Sequence, residues 1–421
     1  MLHYPNREEN YRRRNRPRRI RRNEIPFNPH RRRFLKSLGV VGIILFLGGR
    51  NWLSKLIFSK EPEHKKEEKE ILKEINEKLE KIENEKSFNP DQEITVNLDS
   101  YLEEFIKTNY LSDLIEKYFN KDNKINPYKI LENLWDAKIS IVENNDKKEF
   151  FKKLKSAILE SYKQNPGAKI DLKKFFEYLE LCLGESLLLI DFEKISMEFN
   201  FSEDQKTLAQ ILFQDEEFIK YLKLALIIII LNEISFCSKE NPEINLIVLE
   251  YLISNFGINF ISCIPAVYDE ELSFGSFQLT DRVVGENTSD ANYPITKINE
   301  CLKDEDEFRK YQLPTNLENF RNRDHYLGEI FLIYYFLCRY IKKLDKQRIS
   351  NLITMIKNRE EKRKEVYNDL LMMICACHHG GESNLKEFLK PESKRSFNEN
   401  VETYLERAKL HLNFFLELKI I

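Results

Sequence analysis

"FIKYLKLALIIIILNEISF", residues 218–236, decides the fold class. Its centre, Leu224 to Leu231, is apolar on every side of a helix, so it has no face to give to water. Such a helix belongs in a protein core or a bilayer. The continuous apolar core is far shorter than the roughly 20 residues that span a membrane, which leaves the core. The segments before it carry apolar residues every three or four positions: "LDSYLEEFIKTNYLSDLIEKYF" (98–119), "NPYKILENLWDAKISIVEN" (126–144), "KEFFKKLKSAILESYKQN" (148–165) and "LKKFFEYLELCLGESLLLIDFEKI" (172–195). That spacing predicts amphipathic helices packed on a common core. Glycine and proline, the residues that interrupt helices, number only 12 and 13 in 421. The expected fold class is therefore all-α, with one helical domain over 95–240 and a second over 245–421.

The bulk composition narrows the function classes. Charged residues make up 32%, yet the net charge is −2, so nothing in the whole molecule steers it toward nucleic acid. The seven cysteines are scattered, with no C-x-x-C pair, and imply neither a disulfide framework nor a zinc site. No cofactor is expected.

Charge is concentrated at the start, where twelve of the first 33 residues are arginine. Such a tail, residues 1–36, has no apolar periodicity and predicts disorder. Basic arms bind nucleic acid or lipid, and a helical interaction protein inside the cell is one reading. The next stretch favours another. "RRRFLKSLGVVGIILFLGGRNW" begins at Arg31, and Arg31-Arg32 followed by Phe34-Leu35-Lys36 resembles a twin-arginine export signal. The apolar run from Leu38 to Gly49 suits a signal or short anchor over 37–58; a buried core helix is the alternative. No small-x-small cleavage site follows. With Arg50 and Lys55 snorkelling and Trp52 at the interface, the segment can remain as a single-pass anchor. The arginines before it place the bulk of the chain outside the cytoplasm and draw the tail to membrane lipid. Residues 62–90 follow as a stalk. Leu72, Ile75, Leu79 and Ile82 form a 3-4-3 seam about two heptads long, which fits a solvated helix or a short dimer coiled coil.

"YDEELSFGSFQLT", residues 268–280, breaks the pattern: three adjacent acids lead into a glycine turn ending in glutamine. It follows the helix "EINLIVLEYLISNFG", capped by Gly257, and precedes "NRDHYLGEIFLIYYFLCRYIKKL" and "EVYNDLLMMICACHHGGESNLKEFLK". This order resembles the lytic transglycosylase and goose-type lysozyme group over roughly residues 245–395. Ser273, Gly275 and Gln278 match the family's S-x-G-x-x-Q turn. Tyr326-Leu327-Gly328 stands where its middle helix begins, and Ala376 to Gly381 where its Ala-Tyr-Asn-Ala-Gly turn falls. Two departures accompany the match. Glu270 and Glu271 lie only eight and seven residues before Gln278, and "ISNF", Ile253 to Phe256, carries isoleucine where the family has its glutamate.

The resemblance implies a lysozyme-like C-terminal α-domain that cleaves a cell-wall or surface glycan with one glutamate as acid and then base. Glu270 or Glu271 is the expected acid, and Glu250, 28 residues before Gln278, is the candidate at the longer spacing. Ser273, Gly275, Gln278, His378 and Gly380 are the expected sugar-binding residues. A non-catalytic glycan-binding or scaffold protein of the same fold is the alternative. Read without the resemblance, the acids form a solvated helix end, and His378-His379-Gly380-Gly381 is a helix cap. Metal ligation by the two histidines is not expected, since no third ligand is spaced nearby.

Overall fold

Helix starts follow the capping side chains written in the sequence. Among the residues described by the computed structural model (64–84, 89–91, 94–95, 124–233, 242–266, 273–275, 277–280, 294–304, 306–314, 319–320, 322–358 and 360–417), the chain is mostly helical. It runs α1 His64–Glu83, α2 Pro127–Ile141, α3 Asn145–Gln164, α4 Leu172–Leu189, α5 Phe192–Glu198, α6 Glu203–Gln214, α7 Glu216–Glu233, α8 Pro242–Phe256, α9 Pro294–Glu300, α10 Asn322–Lys343, α11 Lys346–Asn358, α12 Glu360–Gly380, α13 Glu382–Phe388 and α14 Glu399–Glu417. Asn144 accepts from the amides of Asp146 and Lys147 and so opens α3, and Asp171 does the same for α4 through Lys174. Ser202 and Gln205 close a reciprocal capping box at α6. Two minimal antiparallel hairpins interrupt the helices. β1 (Ile94–Thr95) pairs with β2 (Lys124–Ile125), and β3 (Ser273–Phe274) with β4 (Leu279–Thr280).

The all-apolar stretch takes the central place. Every residue of α7 from Tyr221 to Asn232 is buried, and α7 packs against α4, α8, α12 and α14. Helix α10 lies across α4, α9 and α12. One hydrophobic cluster runs from Ile71 in α1 to Phe415 in α14, and all described residues fall within the unit Ile43–Ile421. The boundary expected between residues 240 and 245 therefore does not divide the core. The physical reason is that α7 has no polar face, so helices from both sides of the boundary must cover it.

The segment expected to be a stalk is a helix, but its seam is covered. Ile71, Leu72, Ile75, Leu79 and Ile82 are at most 8% exposed and face α4. Burial of this kind contributes about 1.5–3 kcal/mol per large side chain. Polar contacts reinforce it. Asn76 donates to the Tyr311 hydroxyl at 2.6 Å and accepts from Arg323 at 3.0 Å, and Tyr178 donates to Glu83 at 2.9 Å. The partner of the seam is this chain's own core. Residues 1–36, the expected membrane segment 37–58 and the acids Glu270 and Glu271 lie outside the described residues. Among the described residues, no helix is long and apolar enough to cross a membrane.

Candidate functional site

The glycine–glutamine turn is a built hairpin. Helix α8 ends at Gly257, whose φ of +86° is the left-handed geometry that suits glycine, and the Tyr162 hydroxyl donates to the Phe256 carbonyl at 2.6 Å. A single helical turn, Ile258–Ile261, then leads into the hairpin. Ser273 is buried; its carbonyl accepts from Ala266, and Gly275 N–H donates to Ile264. Gly275 has φ +91°, and a Cβ there would stand 2.9 Å from His325 Nδ1. Gln278 has φ +50°, and its Nε2 donates to the carbonyls of Ile264 at 3.0 Å and Gly275 at 2.8 Å. Its amide therefore ties the turn to itself, while its buried Oε1 has no hydrogen-bond partner among the described residues.

The second predicted stretch reaches the same helix one turn further on. His378 is not in a turn; it sits in the last turn of α12, with its side chain only 6% exposed. Nδ1 is 3.0 Å from Glu329 Oε1 and Nε2 is 3.2 Å from Glu233 Oε1. Burial alone would lower this imidazole, but the Glu329 charge and hydrogen bonds to both carboxylates outweigh it and raise it to about 10. Burial holds the Glu329 carboxyl above its ordinary range despite the His378 charge. His379 stacks on Tyr404 at 4.6 Å. Gly380 ends α12, and Gly381, at φ +67°, turns the chain into α13. Since His325 meets Gly275 and Glu329 meets His378, the hairpin and the α12 end touch consecutive turns of one α10 face. Among the described residues, no group of three or more His, Cys, Asp or Glu is arranged to hold a metal ion.

Glu250 stands apart from that pair. It is half-buried on α8, and among the described residues it makes no hydrogen bond or ion pair. Burial, with the Asp171 charge beside it, pushes its carboxyl up to about 7. Of the candidates, then, Ser273, Gly275 and Gln278 share the hairpin, His378 and Gly380 share the α12 end, and Glu250 lies on the helix that leads into the hairpin.

Three further ionisable groups, of which Glu185 and Glu329 are buried and Glu233 is partly buried, are not marked by the sequence motifs. Glu329 and Glu233 clamp His378. Glu185 on α4, fully buried and held at about 7 by burial that outweighs the Arg323 charge, pairs with Arg323 at 3.6 Å. The signal was available: "HYLGEIFLIYY" and "LCLGESLLLI" each hold one acid in an apolar run, and a lone acid there must find a partner or stay protonated. No family model matches the chain, and no curated protein or solved structure matches it.

Proposed function

We propose that the protein cleaves a cell-wall or surface glycan from a membrane-bound position, with Glu250 as the proton donor. The observation that carries this reading is the half-buried Glu250 carboxyl, unpaired among the described residues and held at about 7, on the helix that runs into the glycine–glutamine hairpin. A glycosidic oxygen is a poor leaving group near neutral pH and needs a proton from a positioned acid. Protonated Glu250 gives its proton to that oxygen as the bond to the anomeric carbon breaks. A hydroxyl of the same sugar then bonds to the anomeric carbon, closing an anhydro ring, and its proton goes to the Glu250 carboxylate. The acid is regenerated, and no second carboxylate or water is consumed. Residues 37–58 would hold the chain at the membrane, with residues beyond them on the glycan side.

The test is release of anhydro sugar from purified wall glycan. Glu250→Gln should lower turnover by about 10²–10⁴ with the fold intact. Wild-type turnover should fall as pH rises through about 7, because the donor must carry its proton. Full activity in Glu250→Gln would remove Glu250 from the role, and no release by wild type from any glycan would remove the enzymatic reading.

A non-catalytic glycan-binding protein of the same architecture is the second reading. It is favoured by one observation: the Gln278 amide nitrogen and both His378 ring nitrogens are taken up by internal partners.

A further inference from the structure

A polar cleft of about 530 Å³ opens where the end of α1 meets the end of α3, outside the stretch that carries the family resemblance. Three elements wall it, and each is fixed from behind. Glu83 at the end of α1 is held by the Tyr178 hydroxyl. The 89–91 segment is tied to the start of α2, with Asn126 donating to the Asp91 carbonyl at 2.8 Å. The 163–167 loop is bolted to the end of α8: Ile258 N–H donates to Ala168, and Asn259 donates through its backbone to Pro166 and through its side chain to Asn165. The 2.6 Å ion pair of Lys163 with Asp91 joins two of the walls. Such a cleft is organised before a ligand arrives, which lowers the cost of binding.

Its chemistry is that of amides. Asn84, Asn89, Gln164 and Asn165 line it, and each spends one half of its amide internally. Asn84 Nδ2 donates to the Glu80 carbonyl and Gln164 Nε2 to Glu160, so each leaves a carbonyl oxygen unused among the described residues. Asn89 Oδ1 accepts from Asp91 and Asn165 Oδ1 from Gly167, so each leaves an NH₂. The four amides thus offer two acceptors and two donors beside the Glu83 carboxylate, while the lysine is already paired. Hydroxyl groups both donate and accept, so a neutral polyhydroxylated ligand matches this set better than an anion or an apolar molecule does.

The cleft is also linked to Glu250. From Gly167 the chain runs Ala168–Asp171, and Asp171 is the charged neighbour of Glu250. Ala168 meets Ile258, just past the end of α8, and the six helical steps from Glu250 to Phe256 rise about 9 Å.

We infer that the cleft between the ends of α1 and α3 is a saccharide-binding subsite, which holds a glycan so that its continuation along the 167–171 segment reaches Glu250. This rests on the glycan reading proposed above. The probes are chito-oligosaccharides and cello-oligosaccharides of two to four sugars, titrated into the full chain by calorimetry. Asn89→Ala with Gln164→Ala, both exposed positions, should weaken binding about tenfold through the lost hydrogen bonds. Binding unaffected by the double variant would overturn the subsite and leave the glycan reading standing. Wild type that binds neither probe would also overturn the subsite, with the Glu250 cleavage assay deciding the enzymatic reading by itself. Binding lost in the double variant, without any cleavage by wild type, would keep the subsite and sink the enzymatic reading.

Discussion

His325 stands on α10 and His378 meets the same face of α10 one helical turn on, at Glu329, and the two histidines stand in opposite charge states. His325 packs on the Phe320 ring and the Gly275 backbone, and burial pushes its imidazole down to about 4. His378 is as deeply placed, but Glu233 and Glu329 flank it and hold it protonated up to about 10. Burial alone sets the charge of His325, and at His378 the flanking carboxylates overrule it. The hairpin end of this face is neutral and the α12 end carries a caged cation.

The strongest way to break the contrast is Glu329→Gln. It keeps the shape and removes one charge, leaving the His378 cation with Glu233 alone. Breaking a buried pair from one side costs about 3–5 kcal/mol, which urea unfolding would read. If stability and the His378 titration by NMR are both unchanged, Glu233 is sufficient and the cage is not a unit.

A somewhat smaller effect separates the two histidines by pH. His325 has a folded pKa below its unfolded value, so its contribution is present above about 6.5 and is lost as pH falls through about 4. That is worth about 3 kcal/mol at most. His378 has a raised folded pKa, so its contribution is complete below about 6.5 and is lost as pH rises through about 10. His325→Gln should flatten the acid side of the stability profile relative to wild type and leave the alkaline side alone. An unchanged acid side would show that His325 is protonated in the fold.

The smallest effect sharpens the hairpin end. Gly275→Ala meets both a φ of +91° and the His325 ring at 2.9 Å, and should cost about 1–3 kcal/mol. It should also shift the His325 imidazole resonances. A silent substitution would separate the hairpin from His325.

Much of this was legible in the sequence, at the level of elements. The apolar run in α7 and the 3.6-residue period in α2, α3 and α4 mark those helices, since both are local properties, whereas the helix expected over 98–119 lies outside the described residues. The glycine turn at Gly275 was legible for the same reason. What covers a stripe is not local. Leu72, Ile75, Leu79 and Ile82 demand a partner, but period alone does not choose between water, a second copy and α4. Glu329 and His378 are 49 residues apart, and nothing in either neighbourhood names the other. The two glycines after His378 predict a turn at the histidine itself. The helix runs on to Gly380, and the break falls at Gly381, where φ turns positive.

The docking of α1 also sets a reach. A free helix of 20 residues would lift the body about 30 Å from whatever holds its start. Folded back onto α4, it lifts nothing. If residues 37–58 sit in a membrane, only residues 59–63 remain as a leash before α1 begins, and five residues pulled straight cover less than about 20 Å. If the proposed glycan cleavage also holds, the chain would graze the glycan nearest the bilayer, and strands further out would reach it only by coming down to the surface.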